Sequence, residues 1–386
     1  MSQIPTPQDV RLWLLERVCP FWESRIVDPE GGFFESLDAW GVVVPSRART
    51  VLNQARLTYV FSHASLLGDS DTMRAAADHG FDFLRRASVC HGAFEGWHRS
   101  TTVQGAVVDA ARDAYDHAFV IFAMAWYHRA TGSREALHLA DQAYGYVESH
   151  LGDRVHGGFF EEFPGIAKLP RRQNPHMHLL EAMLAMHEAT GDSLWLERAS
   201  GLVSMFTGAF VDGRSGALVE YFDADWKIAS GKLGSLREPG HQFEWVWLLS
   251  QYMRQSSNEA LLECSRCLFE FGARYGIDTE GPLAGMVFDS LDAGGGVVAD
   301  SKLVWPQTEY IKACVARFET TGDTACLREA FTHLERLRAH FFYADGANWV
   351  NHVSRDGQHL VSGTPSRVLY HVFLACAELL RVAEGV

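Results

Sequence analysis

The apolar residues of the chain recur with the period of an α-helix. Stretches of about 18–22 residues carry apolar side chains at positions i, i+3, i+4 and i+7, as in Ala118, Ile121, Phe122, Ala125 and Trp126. Because residues with this spacing share one face of a helix, each stretch predicts a helix with an apolar face. Such stretches fill most of the chain, so the segments that separate them indicate how the helices are arranged.

The first separating signature is a glycine turn followed by aromatic and acidic residues. Three clear copies read GGFFESLDAWG, HGAFEGWHRS and HGGFFEEF, from Gly31, His91 and His156, and three weaker copies follow. With starts at positions 31, 92, 157, 216, 281 and 346, the copies are 61, 65, 59, 65 and 65 residues apart. Residues alternate around Gly or Asp in each copy, which predicts a short β-hairpin. The regular period indicates a structural repeat.

The second signature is a helix stop followed at once by a helix start. It reads LLGDSD at 66–71, ATGSRE at 130–135, ATGDSL at 189–194 and TTGDTA at 320–325, and RQSSNE takes the same place at 254–259. Glycine just after a helix accepts a positive φ, and the Asp or Ser that follows caps the next helix. Such turns join antiparallel helices.

The two signatures order the chain as helix, hairpin loop, helix and tight turn, six times over. Six helical hairpins that cannot bury their apolar faces alone close most simply into a ring. We therefore predict an all-α fold, an (α/α)6 barrel with short β-hairpin loops at the active-site end, in a single catalytic domain over residues 1–386. An open α-solenoid is the alternative, but it needs terminal repeats with polar outer faces, which we do not find in the sequence.

Composition restricts the partners and the compartment. The formal net charge is −14, which argues against a nucleic acid or an anionic membrane as partner. The longest strongly apolar run, 118–127, is ten residues, too short to span a bilayer, and MSQIPTPQDV lacks the pattern of a signal peptide. Seven scattered cysteines are typical of reduced thiols, so we expect a cytoplasmic protein, either a monomer or a homodimer.

Near the start of each helix that follows a hairpin loop lies a side chain that a hydrophobic core would not choose. These side chains are 66, 63, 63, 64 and 66 residues apart: Arg49, Tyr115, His178, His241, Trp305 and His371. Equivalent positions on the six inner helices of a ring converge on one mouth of the barrel. The sequence therefore predicts one pocket lined by Arg, Tyr, Trp and three His.

Two histidines of this set have a glutamate three residues further on, Glu181 after His178 and Glu244 after His241. Residues three apart share a helix face, so each carboxylate can hold an imidazole in one tautomer and support its protonated form. Three histidines and carboxylates could also ligate zinc or manganese. The chain has no HExxH-type arrangement and no GxGxxG motif, so we expect neither a metal nor another cofactor.

Aromatic faces beside Arg, Asn, Gln and Glu are what a polyhydroxy ligand needs, because rings stack on apolar sugar faces while planar polar groups bind hydroxyls. Imidazoles are suited to proton transfer near neutral pH. Moving a proton on the carbon next to a carbonyl, through an enediolate, is the natural cofactor-free reaction for this set. A small monosaccharide is therefore the expected substrate.

Six motifs in chain order carry a family resemblance. RVLNQARLTYVFSHA, DAYDHAF, RRQNPHMHLLEAMLAMHEATGD, EPGHQFEWVWLL, WPQTEYIKA and LYHVFLACAEL resemble the N-acylglucosamine 2-epimerase superfamily over nearly the whole chain. PGHQFEW and NPHMH are most similar to its D-mannose isomerase branch. The chain departs from the N-acylglucosamine epimerases, which tend to carry GWF, at Trp245, Val246 and Trp247.

The resemblance implies an (α/α)6 barrel and roles for individual residues. His241 and His371 match the two histidines that act as acid and base on C1 and C2, with His371 assigned here as the base and His241 as the acid. His178 matches a histidine associated with ring opening and oxygen protonation. Positions that bind the sugar or orient the histidines match Arg49, Tyr115, Asn174, Glu181, Glu244, Trp305 and Glu309.

The implied activity is aldose–ketose isomerisation of D-mannose and D-fructose, and of D-lyxose and D-xylulose, through a cis-enediolate. A sugar 2-epimerase is the first alternative, because the same histidines serve an epimerase that works on both faces of C2. A sulfoquinovose-type isomerase is the second and would need a cation for the sulfonate, for which Arg237 and Arg171 or Arg172 are available. A non-enzymatic binding module on the same scaffold is the third.

Overall fold

The computed structural model describes residues 5–87, 89–90, 93–163 and 170–383. His91 and Gly92, where the second copy of the hairpin signature starts, lie outside the described residues. Among the helices of the described part, none combines the length and the apolar character that a bilayer-spanning helix requires.

Helices make up most of the described chain. In chain order they are α1 (Pro7–Leu12), α2 (Cys19–Ile26), α3 (Val51–Gly68), α4 (Asp71–Ala87), α5 (Ala114–Thr131), α6 (Arg134–Tyr146), α7 (Asn174–Thr190), α8 (Ser193–Met205), α9 (Gly231–Ser235), α10 (Pro239–Ser256), α11 (Leu262–Tyr275), α12 (Val304–Thr321), α13 (Thr324–Phe341) and α14 (Leu369–Ala383). Wider π-helical turns join α1 to α2 and extend α6 and α8, at Trp13–Val18, Val147–Leu151 and Phe206–Phe210. Short 3₁₀ turns precede α11 and α14, at Glu259–Leu261 and Ser366–Val368.

The helices form two concentric layers. The inner helices α3, α5, α7, α10, α12 and α14 are buried on nearly every side; on α5, Ala118, Val120 and Ile121 point in different directions and are all fully buried. The outer helices bury one face only, as α4 does with Met73 and Ala77. An inner ring that is apolar all round, inside an amphipathic outer ring, is the arrangement that the helical periodicity predicts.

The inner ring is closed. Helix α14 packs against α3, and the first outer helix, formed by α1 and α2, packs against the end of the last repeat. There the Trp22 indole N–H donates to the carbonyl of Ala347 at 2.9 Å, and the Trp22 and Trp349 rings lie 4.8 Å apart. The predicted (α/α)6 barrel is confirmed, and the open solenoid is excluded because the two ends of the array meet.

The tight turns have the geometry that the second signature predicts. At three of them the glycine after the helix is left-handed, with φ of 74°, 70° and 70° at Gly132, Gly191 and Gly322. The side chain of the next residue then accepts a backbone N–H of the following helix, at Ser133, Asp192 and Asp323. Only glycine adopts this φ without steric cost, which is why the signature repeats.

The first tight turn differs by one residue. Gly68 is still helical there, and the left-handed position is taken by Asp69, with φ of 47°. Asp is one of the few side chains that visit this region, and Ser70 then accepts the N–H of Met73 at 3.3 Å. The Gly of LLGDSD is therefore not the helix stop that the signature predicts.

Short strands lie at one end of the barrel, before the inner helices. They are β1 (Ser36–Asp38), β2 (Arg49–Thr50), β3 (Val89–Cys90), β4 (Ala93–Phe94), β5 (Ser100–Thr101), β6 (Val107–Asp109), β7 (Arg112–Asp113), β8 (Glu162–Phe163), β9 (Arg171–Arg172), β10 (Tyr221–Phe222), β11 (Ser290–Leu291), β12 (Val297–Ala299), β13 (Lys302–Leu303), β14 (His352–Val353) and β15 (Gly363–Pro365). Predicted hairpins form within loops, as antiparallel β5–β6 and β11–β12 and as a bridge between Leu37 and Val43.

The same loops also pair with their neighbours, which the sequence does not predict. Antiparallel pairs join β2 to β5, β7 to β8, β9 to β10, β13 to β14, and β15 back to β1. A bridge between Arg237 and Leu291 occupies the remaining position. The loops thus form a closed, hydrogen-bonded ring around one mouth of the barrel.

Buried side chains of the inner helices hold these loops in place. On α3, the amide of Gln54 accepts the N–H of Phe33 at 2.7 Å and donates to its carbonyl at 2.9 Å. The equivalent bonds on other inner helices run from Gln242 to Leu218, from Gln307 to Val287, and from His117 and His176 to the N–H groups of Trp97 and Phe159. Each bond satisfies backbone groups of a loop that packs against the barrel.

Candidate active site

A cavity of 390 Å³ opens at the ringed mouth, where the inner helices begin. Seven of the ten predicted site residues line it: Tyr115, Asn174, His178, His241, Glu244, Trp305 and His371. Two more, Glu181 and Glu309, lie behind the wall and hold histidines, and Arg49 lies elsewhere. The structure thus brings residues of distant repeats together in one cavity, as the repeat spacing predicts.

His178, on α7, is fixed by its helix neighbour as predicted. Its Nδ1 lies 2.9 Å from Oε2 of Glu181, and the other oxygen of Glu181 accepts the hydroxyl of Tyr370. The ring of Tyr115 lies 4.9 Å from that of His178, edge to face. Burial lowers the pKa of His178 to about 4, against the opposing charge of Glu181, so this imidazole is neutral near pH 7.

His241, on α10, has partners that the sequence did not predict. Its Nδ1 lies 2.9 Å from Glu220 and 3.4 Å from Glu238, and its Nε2 lies 3.1 Å from the side-chain amide of Asn174, whose oxygen accepts the Nε2–H when the imidazole is protonated. Burial alone would lower the pKa of His241, but Glu220 and Glu238 outweigh it and raise that pKa to about 10. His241 is therefore an imidazolium near pH 7.

The spacing of Glu244 predicts that it orients His241, but in the structure it does not. Its Oε1 lies 3.9 Å from Nε2 of His178, on the neighbouring inner helix, and makes no hydrogen bond within the described residues. Burial and the charge of Glu309 raise the pKa of Glu244 to about 8. The side chain is thus a protonated carboxylic acid near pH 7, able to donate to a ligand oxygen.

His371, on α14, faces the same cavity but is neutral, unlike His241. Its Nδ1 lies 2.9 Å from Oε1 of Glu309 on α12, which leaves Nε2 as its free nitrogen. Burial, with the charges of Arg56 and Lys312, lowers the pKa of His371 well below its ordinary value. His371 is therefore neutral and can accept a proton.

Trp305 lies between the protonated His241 and the neutral His371. Its ring is 4.9 Å from that of His241 and 6.1 Å from that of His371. This approach depends on Gly240, since a Cβ there would lie 2.4 Å from the Trp305 ring. The indole supplies an apolar surface between an acid and a base, where the face of a sugar can stack.

Arg49 is a correction to the predicted site. It pairs with Asp28 and does not line the cavity. It belongs to a different repeating position, a buried cation before an inner helix that pairs with an aspartate after the preceding outer helix, as in Arg171–Asp153 at 2.7 Å, Arg237–Asp212 at 3.3 Å and Lys302–Asp278 at 3.0 Å. Among the three arginines that line the cavity, the buried one is Arg56, seven residues further along the chain, whose guanidinium donates to the Tyr115 hydroxyl at 2.8 Å.

Sequence reasoning missed several residues that line the cavity: Arg56, Glu220, Tyr221, Glu238, Asn351 and Arg367. A signal existed for Glu220, because a glutamate follows the first glycine of the hairpin signature by four positions in three copies, at Glu35, Glu161 and Glu220. Arg171 and Arg237, considered for a sulfonate, are buried in ion pairs, whereas Arg172 reaches the cavity and pairs with Glu161.

Two groups of side chains bring ligand atoms close enough to hold a metal ion. One is His178, Glu181 and Glu244; the other is Glu220, Glu238 and His241. In both groups Nδ1 of the histidine is already bonded to a carboxylate. A metal would have to displace these bonds or use Nε2 and the remaining carboxylate oxygens.

A closed (α/α)6 barrel whose mouth gathers three histidines, glutamates, Trp and Tyr defines a sugar-converting class of enzyme. The chain belongs to the N-acylglucosamine 2-epimerase family, whose model matches residues 32–375. It is 31% identical to a mannose-6-phosphate isomerase of Rhizobium meliloti (strain 1021), over 95% of each chain.

Solved structures agree in fold and class. A cellobiose 2-epimerase from Spirochaeta thermophila superposes with a TM-score of 0.86 at 25% identity, covering 98% of this chain and 96% of that one. A D-mannose isomerase superposes with a TM-score of 0.84 at 25% identity, covering 95% and 96%. Family and relatives support an isomerase or epimerase acting on sugars.

Proposed function

We propose that this protein is a cofactor-independent aldose–ketose isomerase that interconverts D-mannose and D-fructose, and D-lyxose and D-xylulose. The observation that carries the proposal is the position of two histidines on either side of Trp305, each bonded through Nδ1 to a carboxylate. Burial lowers the pKa of His371, and Glu220 and Glu238 raise that of His241, which suits His371 to act as the base and His241 as the acid. A base for carbon and an acid for oxygen on one cavity are what this reaction requires. The likeness to a D-mannose isomerase supports the choice of sugar.

In the proposed mechanism, Nε2 of His371 removes the proton from C2 of the open-chain aldose. The C2–H electron pair forms the C1=C2 bond while O1 takes a proton from His241, which gives a cis-enediol. His371 then returns its proton to C1, O2 gives its proton to His241, and the C2=O bond of the ketose forms. Each histidine ends in its starting protonation state, so the reaction needs no co-reactant.

His178 and Arg56 serve the oxygen atoms in this proposal. His178 is neutral and keeps Nε2 free, so it can move the proton that ring opening requires. Arg56 takes the place that the sequence had given to Arg49, as the buried cation that stabilises negative charge on the sugar oxygens. Asn174 and protonated Glu244 supply hydrogen bonds for hydroxyl groups.

Incubation of the protein with D-mannose in D₂O containing EDTA tests the proposal. We expect fructose to form with deuterium on carbon, because the proton on His371 exchanges with solvent before it returns to C1. Activity abolished by EDTA and restored by a divalent metal would contradict the metal-free mechanism. Glucose that forms before fructose would identify a 2-epimerase, which needs acid–base groups on both faces of C2.

A second candidate substrate class is a sugar with an anionic group, such as a sugar phosphate or sulfonate. Arg367 lines the cavity, is exposed, and has no ion-pair partner among the described residues, while Arg172 lies on the same wall. A relative named mannose-6-phosphate isomerase supports this alternative. It predicts a higher kcat/KM for mannose 6-phosphate than for mannose, lost in Arg367→Gln; equal values for both sugars would exclude it.

A further inference from the structure

Lys312 is a charged residue buried inside the barrel that the proposed mechanism does not use. Its side chain is 0% exposed, on α12, one turn after Glu309. Its Nζ lies 2.6 Å from Oε2 of Glu309, whose other oxygen lies 2.9 Å from Nδ1 of His371. Lys312, Glu309 and His371 therefore form one chain of contacts that ends at the cavity.

The surroundings of Lys312 are rich in carboxylates. Glu181 on α7 and Glu244 on α10 face it together with Glu309, and its ammonium lies 4.1 Å from the centre of the Trp247 ring. The other cationic or titratable groups that face Glu309 and His371 are Arg56 on α3, His178 on α7, His241 on α10 and Tyr370 on α14. Three carboxyl groups buried this closely could not all ionise without a counter-ion.

The three histidines differ in what supports the carboxylate behind them. Glu181, behind His178, accepts the hydroxyl of Tyr370, and Glu220, behind His241, accepts the amide of Gln173 at 2.9 Å. Both donors are neutral. Among the described residues, only Glu309 has a buried cation in this supporting place. Burial raises the pKa of Glu309, and Lys312 counteracts that rise.

We propose that Lys312 is a positioning residue that keeps Glu309 ionised and thereby holds His371 in the tautomer with the proton on Nδ1 and the lone pair of Nε2 facing the cavity. A protonated Glu309 would donate to Nδ1 instead, and the proton of a neutral His371 would then lie on Nε2, where it blocks proton abstraction. The mechanistic consequence rests on the proposed isomerase function, but the tautomer does not.

The tautomer can be measured without any substrate. ¹⁵N NMR of the imidazoles, assigned with His371→Gln, should show Nδ1–H on His371 in the wild-type protein near pH 7. In Lys312→Met, which keeps the length of the side chain without its charge, we expect this signal to be lost. An Nε2–H tautomer in the wild-type protein would overturn the proposal, even if Lys312→Met does not fold.

The pH profile supplies the kinetic test. Without the charge of Lys312, the Glu309–His371 pair should retain its proton to higher pH, so the acid limb of kcat/KM should move upward in Lys312→Met. We expect kcat to fall by about 10–100-fold near pH 7 while KM changes less than about threefold. Lys312→Gln should behave as Lys312→Met does, and Lys312→Arg should restore the acid limb at least in part.

Lys302→Met is the matched control, because Lys302 is also a fully buried lysine in an ion pair, with Asp278, but lies outside the cavity. It should lower thermal stability and leave the acid limb where it is. Folded Lys312→Met and Lys312→Gln proteins with wild-type tautomer and acid limb would overturn the proposal. Failure of the isomerase function itself would appear separately, as a wild-type protein that has the expected tautomer but does not convert mannose.

Discussion

His241 and His371 carry different charges although Nδ1 of each bonds a carboxylate. His241 has two carboxylates close by, Glu220 and Glu238, and no cation within hydrogen-bonding distance among the described residues. The one carboxylate of His371, Glu309, is shared with Lys312. The balance of neighbouring charges, rather than the hydrogen bond, therefore separates an acid from a base.

The first prediction concerns the two histidines themselves. His241→Ala and His371→Ala should each lower kcat at least about 100-fold, because a positioned acid or base contributes about that much. Steady-state kinetics with D-mannose measures the loss, and circular dichroism checks that the fold survives. A variant that kept more than about a tenth of the wild-type kcat would contradict the role assigned to its histidine.

The second prediction concerns the charge of His241. As the acid, His241 must be protonated, and its pKa of about 10 keeps it so across the neutral range, with activity falling above that pH. Glu220→Gln removes a carboxylate that raises this pKa, so the basic limb of kcat/KM should move to lower pH. Glu35→Gln is the control, because Glu35 has the same place in the first loop but bonds Thr50 instead of a histidine. A basic limb unchanged by Glu220→Gln would contradict the assignment.

At this scale the sequence predicts positions better than partners. The repeat spacing places His178, His241 and His371 in one cavity, because a closed ring converts spacing into direction. It does not predict that Glu220 bonds His241, since that contact crosses from a loop to a helix start. Arg49 is misassigned because each repeat has two polar positions close together in sequence. One forms a buried ion pair before the inner helix, and the other lines the cavity.

At the scale of elements, the repeat is recognised more clearly from the residues at helix ends than from those inside the helices. Left-handed residues end α3, α5, α7, α10 and α12, and each of these five ends is followed by a residue whose side chain accepts a backbone N–H of the next turn. The periodicity predicts these ends to within about one residue, as Asp69 shows. The π-helical turns of the outer helices have no comparable signal, because they change backbone bonds without changing which face is apolar.

The third prediction uses the same substitution at two kinds of glycine. Gly191→Ala should destabilise the protein by about 1–2 kcal/mol, because residue 191 is left-handed with φ of 70°. Gly201→Ala, inside α8, should stabilise it by about 0.5–1 kcal/mol, because alanine favours a helix and a Cβ there meets no atom within 4 Å. Urea denaturation measures both changes. Effects of the same sign would contradict the assignment of these helix boundaries.

At the scale of the whole molecule, the N-terminal outer helix completes the last repeat. Its Trp22 is fully buried against Trp349 and bonds Ala347, more than three hundred residues away along the chain. The strand pair β1–β15 makes a second junction between the two ends of the chain. The sequence predicts a closed ring from its repeats, but not these contacts, which depend on how the two ends meet in space.

The fourth prediction tests this junction. Trp22→Ala should destabilise the protein by about 3–5 kcal/mol, because it leaves a large cavity at the place where the ring closes. Trp40→Ala should change stability by less than about 0.5 kcal/mol, because Trp40 is 84% exposed. Chemical denaturation followed by far-ultraviolet circular dichroism compares the two. A small effect of Trp22→Ala would mean that the junction contributes little to the stability of the barrel.

The ring of strand pairs around the mouth limits how the substrate range of such a barrel can be re-engineered. Each loop shares backbone bonds with the loops on both sides, so replacing one loop with a segment of different length disturbs two neighbours. Two loops should therefore be exchanged as a contiguous pair, which disturbs two neighbours, rather than at separate positions, which disturbs up to four. Insertions are best tolerated at hairpin tips such as Gly105 and Gly295, which lie beyond the last paired residues of their hairpins.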